Sequence, residues 1–305
     1  MTARILRAVV YAGAILSTAM LVLIIGFILV NGIPNLSPTL FEWEYTSDNV
    51  SLMPALIDTV LMALFALVIA APVGIASAVY LVEYARPASR FVRVVRMTTE
   101  TLQGIPSIVY GLFGLLFFTT LLGWGLSLLA GACTLAIMVL PIIMRTTEEA
   151  LLAVPQSYKH GGLALGAGLV RTIFRCVLPS ALPGIFGGVL LALGRCVGEV
   201  AALLFTAGTV AQIPDFGGEG VFALFDSCRT LAVHMYVLAS EGLHLNETYA
   251  TAVVLLVLIV LLNAGTNLVV KRLNVRGSRC RNPIPLSSER TIRWNASERR
   301  PRQSS

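Results

Sequence analysis

Long apolar runs separated by shorter polar segments dominate this sequence. An α-helix needs about 20 apolar residues to cross the hydrocarbon core of a bilayer, and six runs reach that length. The runs are Ala8–Val30, Met53–Val82, Thr101–Leu121, Trp124–Met144, Ala181–Ala207 and Tyr249–Val270. The pattern therefore predicts an all-α, polytopic membrane protein with six transmembrane helices. The second run is long enough that we expect it to tilt or to project from the bilayer.

One interior segment, Arg145–Gly184, interrupts the apolar pattern with charged and polar residues. From Gln156 to Val177 the apolar residues recur near helical spacing, which predicts two short amphipathic helices hinged at Gly166 and Gly168. Two interpretations stay open at this point. The segment is either a connecting loop that lies on the bilayer or a docking element for a cytoplasmic partner.

The composition agrees with a membrane protein and excludes several other classes. Charged residues make up 12% of the chain and the mean hydropathy is +0.83, whereas soluble domains are about a quarter charged. The five cysteines and three histidines are scattered, so the sequence predicts no disulfide framework, metal site or cofactor. The net charge of +6 follows the membrane topology and does not indicate nucleic-acid binding.

The distribution of basic residues predicts the orientation. If the N terminus lies in the cytoplasm, 20 of the 22 Lys and Arg residues fall on the cytoplasmic side, with Arg195 and Arg229 as the exceptions. The positive-inside rule therefore predicts that both termini are cytoplasmic. The first apolar run is longer than the ~7–15 residues of a signal-peptide core, so we interpret it as a retained helix. The outer loops carry the acidic residues Glu42, Glu44, Asp48, Asp215, Glu219, Asp226, Glu241 and Glu247.

Three further segments lead to structural expectations. The tail Asn274–Ser305 is rich in Arg, Ser and Pro, which predicts disorder and contact with anionic lipid. Asp58, near the outer end of its run, is expected to cap a helix or to reach the interface. The outer loop Val210–Thr248 is expected to contain a short interfacial helix. Its apolar residues are Phe222, Leu224, Phe225, Leu231, Met235 and Tyr236.

Two charged residues, Arg195 and Glu199, lie in the middle of the fifth run. Either charge costs about 3 kcal/mol at the centre of a membrane helix, so both should face protein or water. Their i, i+4 spacing predicts one shared helix face, which Ala202 and Thr206 extend. The pair either neutralises itself at a helix contact or lines a path for an anion. In the second case Arg195 binds an oxyanion, and Glu199 holds Arg195 in place and weakens its grip.

The third run has a similar polar face. The stretch Gly104–Ser107 contains a proline and predicts a break in the helix near its inner end. A broken helix exposes backbone polar groups, which are tolerated at membrane depth only inside protein or facing water. We therefore predict that Gln103 and Ser107 belong to the same path. The polar face comprises Glu100, Gln103, Ser107, Gly111 and Gly114.

The sequence contains no nucleotide-binding loop of the form G-x-x-x-x-G-K-[ST]. It also lacks the G-x-S-x-G and H-E-x-x-H motifs of hydrolases and metalloproteases. We therefore predict a protein that is not an enzyme. If ATP drives transport here, another polypeptide must bind it.

Several segments resemble the permeases of ABC importers. The stretch Lys159–Gly166, followed by Leu178-Pro179, is similar to the coupling loop of that family. The stretches Gly104–Gly114, Arg195–Glu199 and Leu203–Gly208 narrow the resemblance to the phosphate importers. The short segment before the first helix and the stretch Asn49–Leu56 favour their PstA over their PstC branch. The resemblance implies a type I importer fold, with residues 1–52 as an N-terminal helix and outer loop, 53–272 as the permease core and 273–305 as a basic tail.

The resemblance also implies the partners. These are a PstC-like sister permease, two PstB-like ATPase subunits on the cytoplasmic side and a PstS-like phosphate-binding protein outside. The location implied is the cytoplasmic membrane of a bacterium or archaeon. The residues expected to couple to the ATPase are Lys159, His160, Gly161, Gly162, Gly166, Leu178 and Pro179.

One departure from the family pattern stands in the coupling loop. His160-Gly161-Gly162 replaces the family's Glu-Ala-Ala, and each glycine costs about 1 kcal/mol in a helix. Two other functions stay open: a permease for another oxyanion such as molybdate or sulfate, and a membrane scaffold that transports nothing, which this departure slightly favours.

Overall fold

The computed structural model describes residues 2–46, 49–86, 89–215, 217–218 and 220–278. Within these residues the chain is helical and contains no strand. The helices are α1 Thr2–Gly32, α2 Met53–Val79, α3 Arg90–Gln103, α4 Ser107–Gly114, α5 Leu128–Leu152, α6 Gln156–Ala164, α7 Leu169–Thr172, α8 Leu178–Val197, α9 Ala201–Thr206, α10 Leu231–Glu241 and α11 Leu245–Ser278.

Five helical stretches are long and apolar enough to cross a membrane, and a bent pair of helices gives a sixth. The bent pair is α3 with Ser107–Leu121, and its two halves meet at 101°. The structure therefore contains the six predicted candidate spans when the bent pair is counted as one, but the third is not straight. Pro106 precedes α4 and has no N–H to continue a helical ladder, which explains the break.

The core of the bundle forms around α5, whose most apolar stretch is 67% buried within this chain. Small residues allow its neighbours to approach closely. A methyl group placed on Gly131 would lie 2.9 Å from Met62, and one on Gly74 would lie 3.0 Å from Ile143. These two contacts show that α2 runs parallel to α5. In contrast, no residue is buried in the most apolar stretch of α1, which packs at the periphery against α11.

Several predicted boundaries move in the structure. The fourth span begins at Leu128 and continues to Leu152, so the first eight residues of the polar segment belong to a membrane helix. The second amphipathic helix is not separate, because α7 passes through a wider turn at Ile173–Val177 directly into α8. Helix α11 extends to Ser278, so the tail is helical at its start. The rest of the predicted disordered tail lies outside the described residues.

The outer loop contains the predicted helix, α10, but this helix packs into the chain, with Leu231 and Leu238 buried. Asp58 is fully buried, so the expectation that it reaches the interface is wrong. Its carboxylate instead accepts the N–H of Arg229 at 3.2 Å, and Thr59 accepts the N–H of Leu231 at 2.7 Å. Thr59 therefore satisfies a donor in the first turn of α10 that otherwise lacks a partner, and Asp58 binds the residue before the N-cap of that helix.

Candidate functional site

Arg195 lies near the middle of the bundle along its long axis. Helices α8 and α5 are antiparallel: a methyl group on Gly184 would lie 2.6 Å from Ala150, and Gly188 faces Thr146. Continuing this register places Arg195 level with the centre of the 25-residue helix α5. The Arg195 side chain is exposed on this chain. An uncompensated guanidinium at that depth requires water, an anion or a partner subunit.

Glu199 does not share a helix face with Arg195, and that prediction is wrong. Helix α8 ends at Val197, and α9 begins only at Ala201. Within the break, the Glu199 carboxylate accepts the N–H of Ala202 at 3.2 Å and so satisfies a donor that α9 leaves free. Among the described residues, Arg195 forms no ion pair with Glu199 within 4.0 Å. Glu199 is half-buried beside the break.

Helix α4 packs directly on α9. A methyl group on Gly111 would lie 2.8 Å from the Ala202 Cα atom, and Gly114 contacts Thr206. The two helices therefore run parallel, and their register puts Ser107, the first residue of α4, level with the break after α8. Ser107 is half-buried there. The structure thus brings the breaks of the third and fifth spans to one level, although the two spans are far apart in sequence.

The remaining two predicted path residues hold the backbone in place. Gln103 is exposed, and its side-chain amide donates to the Pro141 carbonyl at 3.0 Å, which ties the end of α3 to α5. Thr206 is fully buried and its hydroxyl donates to the Ala202 carbonyl at 2.9 Å. Thr206 therefore packs inside the bundle in this conformation and does not reach an open surface.

The predicted coupling segment forms a protruding hairpin. Helix α6 exposes His160 and Gly161, and Leu165 after it is 90% exposed. Both predicted hinge glycines lie in the connection between α6 and α7, and Gly166 has a φ of +81°. That left-handed conformation strains any residue with a Cβ atom. Leu163, Leu169 and Val170 on either side of the turn are also exposed, so the hairpin presents several apolar side chains that a partner can cover.

The two glycines that depart from the family pattern differ in their surroundings. A methyl group on Gly162 would lie 2.7 Å from the Thr172 side chain, whereas one on Gly161 would meet nothing within 4 Å. Gly162 therefore lets α6 approach α7 closely. At the other end of the hairpin Leu178 is half-buried and Pro179 is exposed at the start of α8.

Sequence reasoning missed the ion pairs that hold this end of the bundle together. Lys159 Nζ lies 2.7 Å from Glu83 Oε2, and the Glu83 side chain is only 6% exposed. Arg96 pairs with Glu148 at 2.6 Å, and Arg145 pairs with Glu100 at 2.8 Å. Each pair joins different helices, so no local spacing could have indicated it. The first pair connects the α6–α7 hairpin to the helical turn Tyr80–Tyr84, which continues α2.

The chain is similar in sequence to known transport proteins. Residues 70–276 match the family described as "Binding-protein-dependent transport system inner membrane component". A probable ABC transporter permease protein, YqgI, from Bacillus subtilis is 34% identical over 241 residues, which are 75% of this chain and 81% of that protein. The phosphate transport system permease protein PstA of Haemophilus influenzae is 36% identical over 65% of this chain and 70% of its own length. PstA 1 of Mycobacterium tuberculosis is 42% identical over half of each chain.

Solved structures agree on the fold. An inward-facing MetNI methionine ABC transporter aligns with a TM-score of 0.55 at 22% identity, over 82% of this chain and 97% of that one. A bacterial ABC transporter involved in the import of alginate aligns with a TM-score of 0.61 at 15% identity, over 88% of this chain and 97% of that one. At identities this low, the similarity to these two structures shows the fold alone. Because the family model covers most of the chain, the protein belongs to the binding-protein-dependent transport system inner membrane components, the permease subunits of ABC importers.

Proposed function

We propose that this chain forms half of the translocation path of an ATP-driven importer of inorganic phosphate. The observation that carries the proposal is Arg195, a guanidinium exposed on this chain and level with the centre of α5. Its planar fork of donors matches a tetrahedral oxyanion. The substrate class is supported by the relatives named as phosphate permeases, at 36% and 42% identity.

The residues around the breaks have different roles in this proposal. Arg195 binds the passing anion, and the hydroxyl of Ser107 offers a weaker neutral contact at the level of the break. Glu199 places a negative charge beside that level, which disfavours tight binding of an anion and so favours its release. Gln103 and Thr206 shape the path through their bonds to backbone carbonyls.

ATP binding and hydrolysis belong to a partner in this proposal, because the sequence has no nucleotide-binding loop. The α6–α7 hairpin docks that ATPase subunit through Leu165 and the exposed face of α6. The family relationship supports a PstC-like sister permease, PstB-like ATPase subunits and a PstS-like binding protein. The excess of basic residues on the hairpin side supports cytoplasmic termini.

The test is ATP-dependent phosphate uptake by the complex reconstituted in vesicles. Hydrogen bonds to a charged group contribute about 1.5–3 kcal/mol, so we expect Arg195→Gln to lower uptake by about 10- to 150-fold. Arg195→Lys keeps the charge but not the fork and should lose less. Arg7→Gln, on the peripheral helix α1, is the matched control and should transport normally. Wild-type uptake by both Arg195→Gln and Glu199→Gln would remove the two residues from the path.

Another oxyanion is the alternative substrate. Uptake of phosphate should be measured against sulfate and molybdate as competitors, since all three present similar oxygen acceptors to Arg195. Preferential inhibition by sulfate or molybdate would reassign the cargo while leaving the path intact. The scaffold alternative rested on His160-Gly161-Gly162, but the close contact between Gly162 and Thr172 gives that glycine a packing role.

A further inference from the structure

Helix α3 presents an exposed apolar row on one side and a buried seam on another. Val92 and Thr99 form the seam, and Val92 packs in a small core with residues of α2 and α5. Phe91, Val94 and Met97 lie about one turn apart and are 59%, 61% and 63% exposed. Three large apolar side chains in such a row need a covering medium.

The arginines of α3 fall into two groups. Arg96 is used internally, because it pairs with Glu148 of α5 at 2.6 Å. Arg90 and Arg93 are exposed, and neither forms an ion pair with any residue that the structure describes. A groove of about 280 Å³ lies beside Arg93 and Arg96 on α3, and its lining includes cationic, apolar and acidic side chains. It is lined by Val92, Arg93, Arg96, Met97 and Glu100.

The position of α3 indicates which medium covers it. The helix meets the following membrane-crossing segment at 101°, so it lies across the direction of that span. Its ion pairs reach Glu148 and Arg145, both in the last two turns of α5. Helix α3 therefore lies where the spans leave the apolar zone. A helix with this distribution of charge and apolar surface typically lies in the plane of a membrane interface.

We propose that α3 is an interfacial helix that binds anionic lipid headgroups. Phe91, Val94 and Met97 enter the boundary between headgroups and acyl chains, while Arg90 and Arg93 bind the lipid phosphates. A protein partner at the same surface would have to desolvate two unpaired guanidiniums. Anionic lipid supplies the opposite charge at the depth where the apolar row ends, and long arginine side chains reach outward to it.

The first test measures lipid retention. The permease complex is purified from membranes and incubated with phosphatidylglycerol or phosphatidylcholine, and bound lipids are counted by native mass spectrometry. Each arginine near a charged membrane surface changes binding about fivefold, so Arg90→Gln with Arg93→Gln should weaken phosphatidylglycerol retention by about 25-fold. Arg90→Lys with Arg93→Lys keeps both charges and should retain the lipid within about twofold. Equal retention by the Gln and Lys variants would overturn the anionic preference.

The second test locates the apolar row. A Phe91→Trp variant is placed in vesicles that contain lipids brominated near the headgroup. The tryptophan fluorescence of the unsubstituted chain is subtracted, so that the remaining signal reports on position 91. We expect strong quenching in the assembled complex, and stronger quenching when the brominated lipid is phosphatidylglycerol. An indole that brominated lipids do not reach would mean that a protein partner covers α3. Neither test uses phosphate or transport, so failure here is distinguishable from failure of the proposed function.

Discussion

The proposed docking of the ATPase on the α6–α7 hairpin should depend on the backbone conformation of Gly166. This residue has a φ of +81°, and its N–H donates to the Leu163 carbonyl at 2.9 Å. Gly166→Pro removes the donor and forces φ to about −65°, which costs about 3 kcal/mol. Since about 1.4 kcal/mol is a factor of ten, docking-competent hairpins should become roughly 100-fold rarer. Gly166→Ala keeps the donor and costs about 1 kcal/mol, so its effect should be only about fivefold.

Gly168 provides the matched control. It belongs to the same connection, a methyl group on it would meet nothing within 4 Å, and its φ of −64° already suits proline. The assay is binding of the purified ATPase subunit to immobilised, detergent-solubilised permease, with membrane insertion checked by the yield in the membrane fraction. We expect Gly168→Pro to bind normally and Gly166→Pro to insert normally but bind about 100-fold more weakly. Normal ATPase binding by Gly166→Pro, or an equal loss with Gly168→Pro, would refute the role of this turn.

Two further predictions follow from side chains that sequence reasoning left unexplained. Lys159→Glu or Glu83→Lys alone breaks the pair between Lys159 and the largely buried Glu83 and should lower transport about tenfold while the ATPase still docks, because the remaining charge is uncompensated. The exchanged pair, Lys159→Glu with Glu83→Lys, should recover part of that loss. No recovery would show that the two side chains act separately. Burial, and secondly the charge of Arg229, lower the pKa of His234 in α10 from 6.5 to about 3. Below pH 6.5, His234 is therefore protonated in the unfolded chain but stays neutral in the folded chain. The free energy of unfolding should fall as the pH drops below about 6.5, by about 2 kcal/mol at pH 5. Thermal unfolding from pH 7 to 5 should show this slope in the wild type and in the exposed-residue control His160→Gln, but not in His234→Gln; an unchanged slope in His234→Gln would exclude His234 as its source.

The candidate site was only partly predictable, and Arg195 and Glu199 show why. Both residues were identified because charged side chains are rare in apolar runs. The predicted shared helix face was wrong, because the i, i+4 rule assumes a continuous helix and α8 ends before Glu199. The Glu199 carboxylate instead accepts an N–H at the start of α9. The break at Gly104–Ser107 was predicted correctly, because proline acts on the local backbone wherever it stands. The contact between Gly111 and Ala202 that places the two breaks together had no signal in the sequence.

The sequence by itself determined the class of the protein, the number of spans and the hinge of the hairpin. Backbone polar groups cannot stay unpaired in a bilayer, so a long apolar run forms a helix whatever surrounds it. The tertiary structure alone decided that Asp58 is buried under α10, that Lys159 meets Glu83, and that the apolar row of α3 remains uncovered. These outcomes depend on which helices pack together through their small residues. Such packing requires two complementary surfaces that lie far apart along the chain, so neither segment alone indicates it.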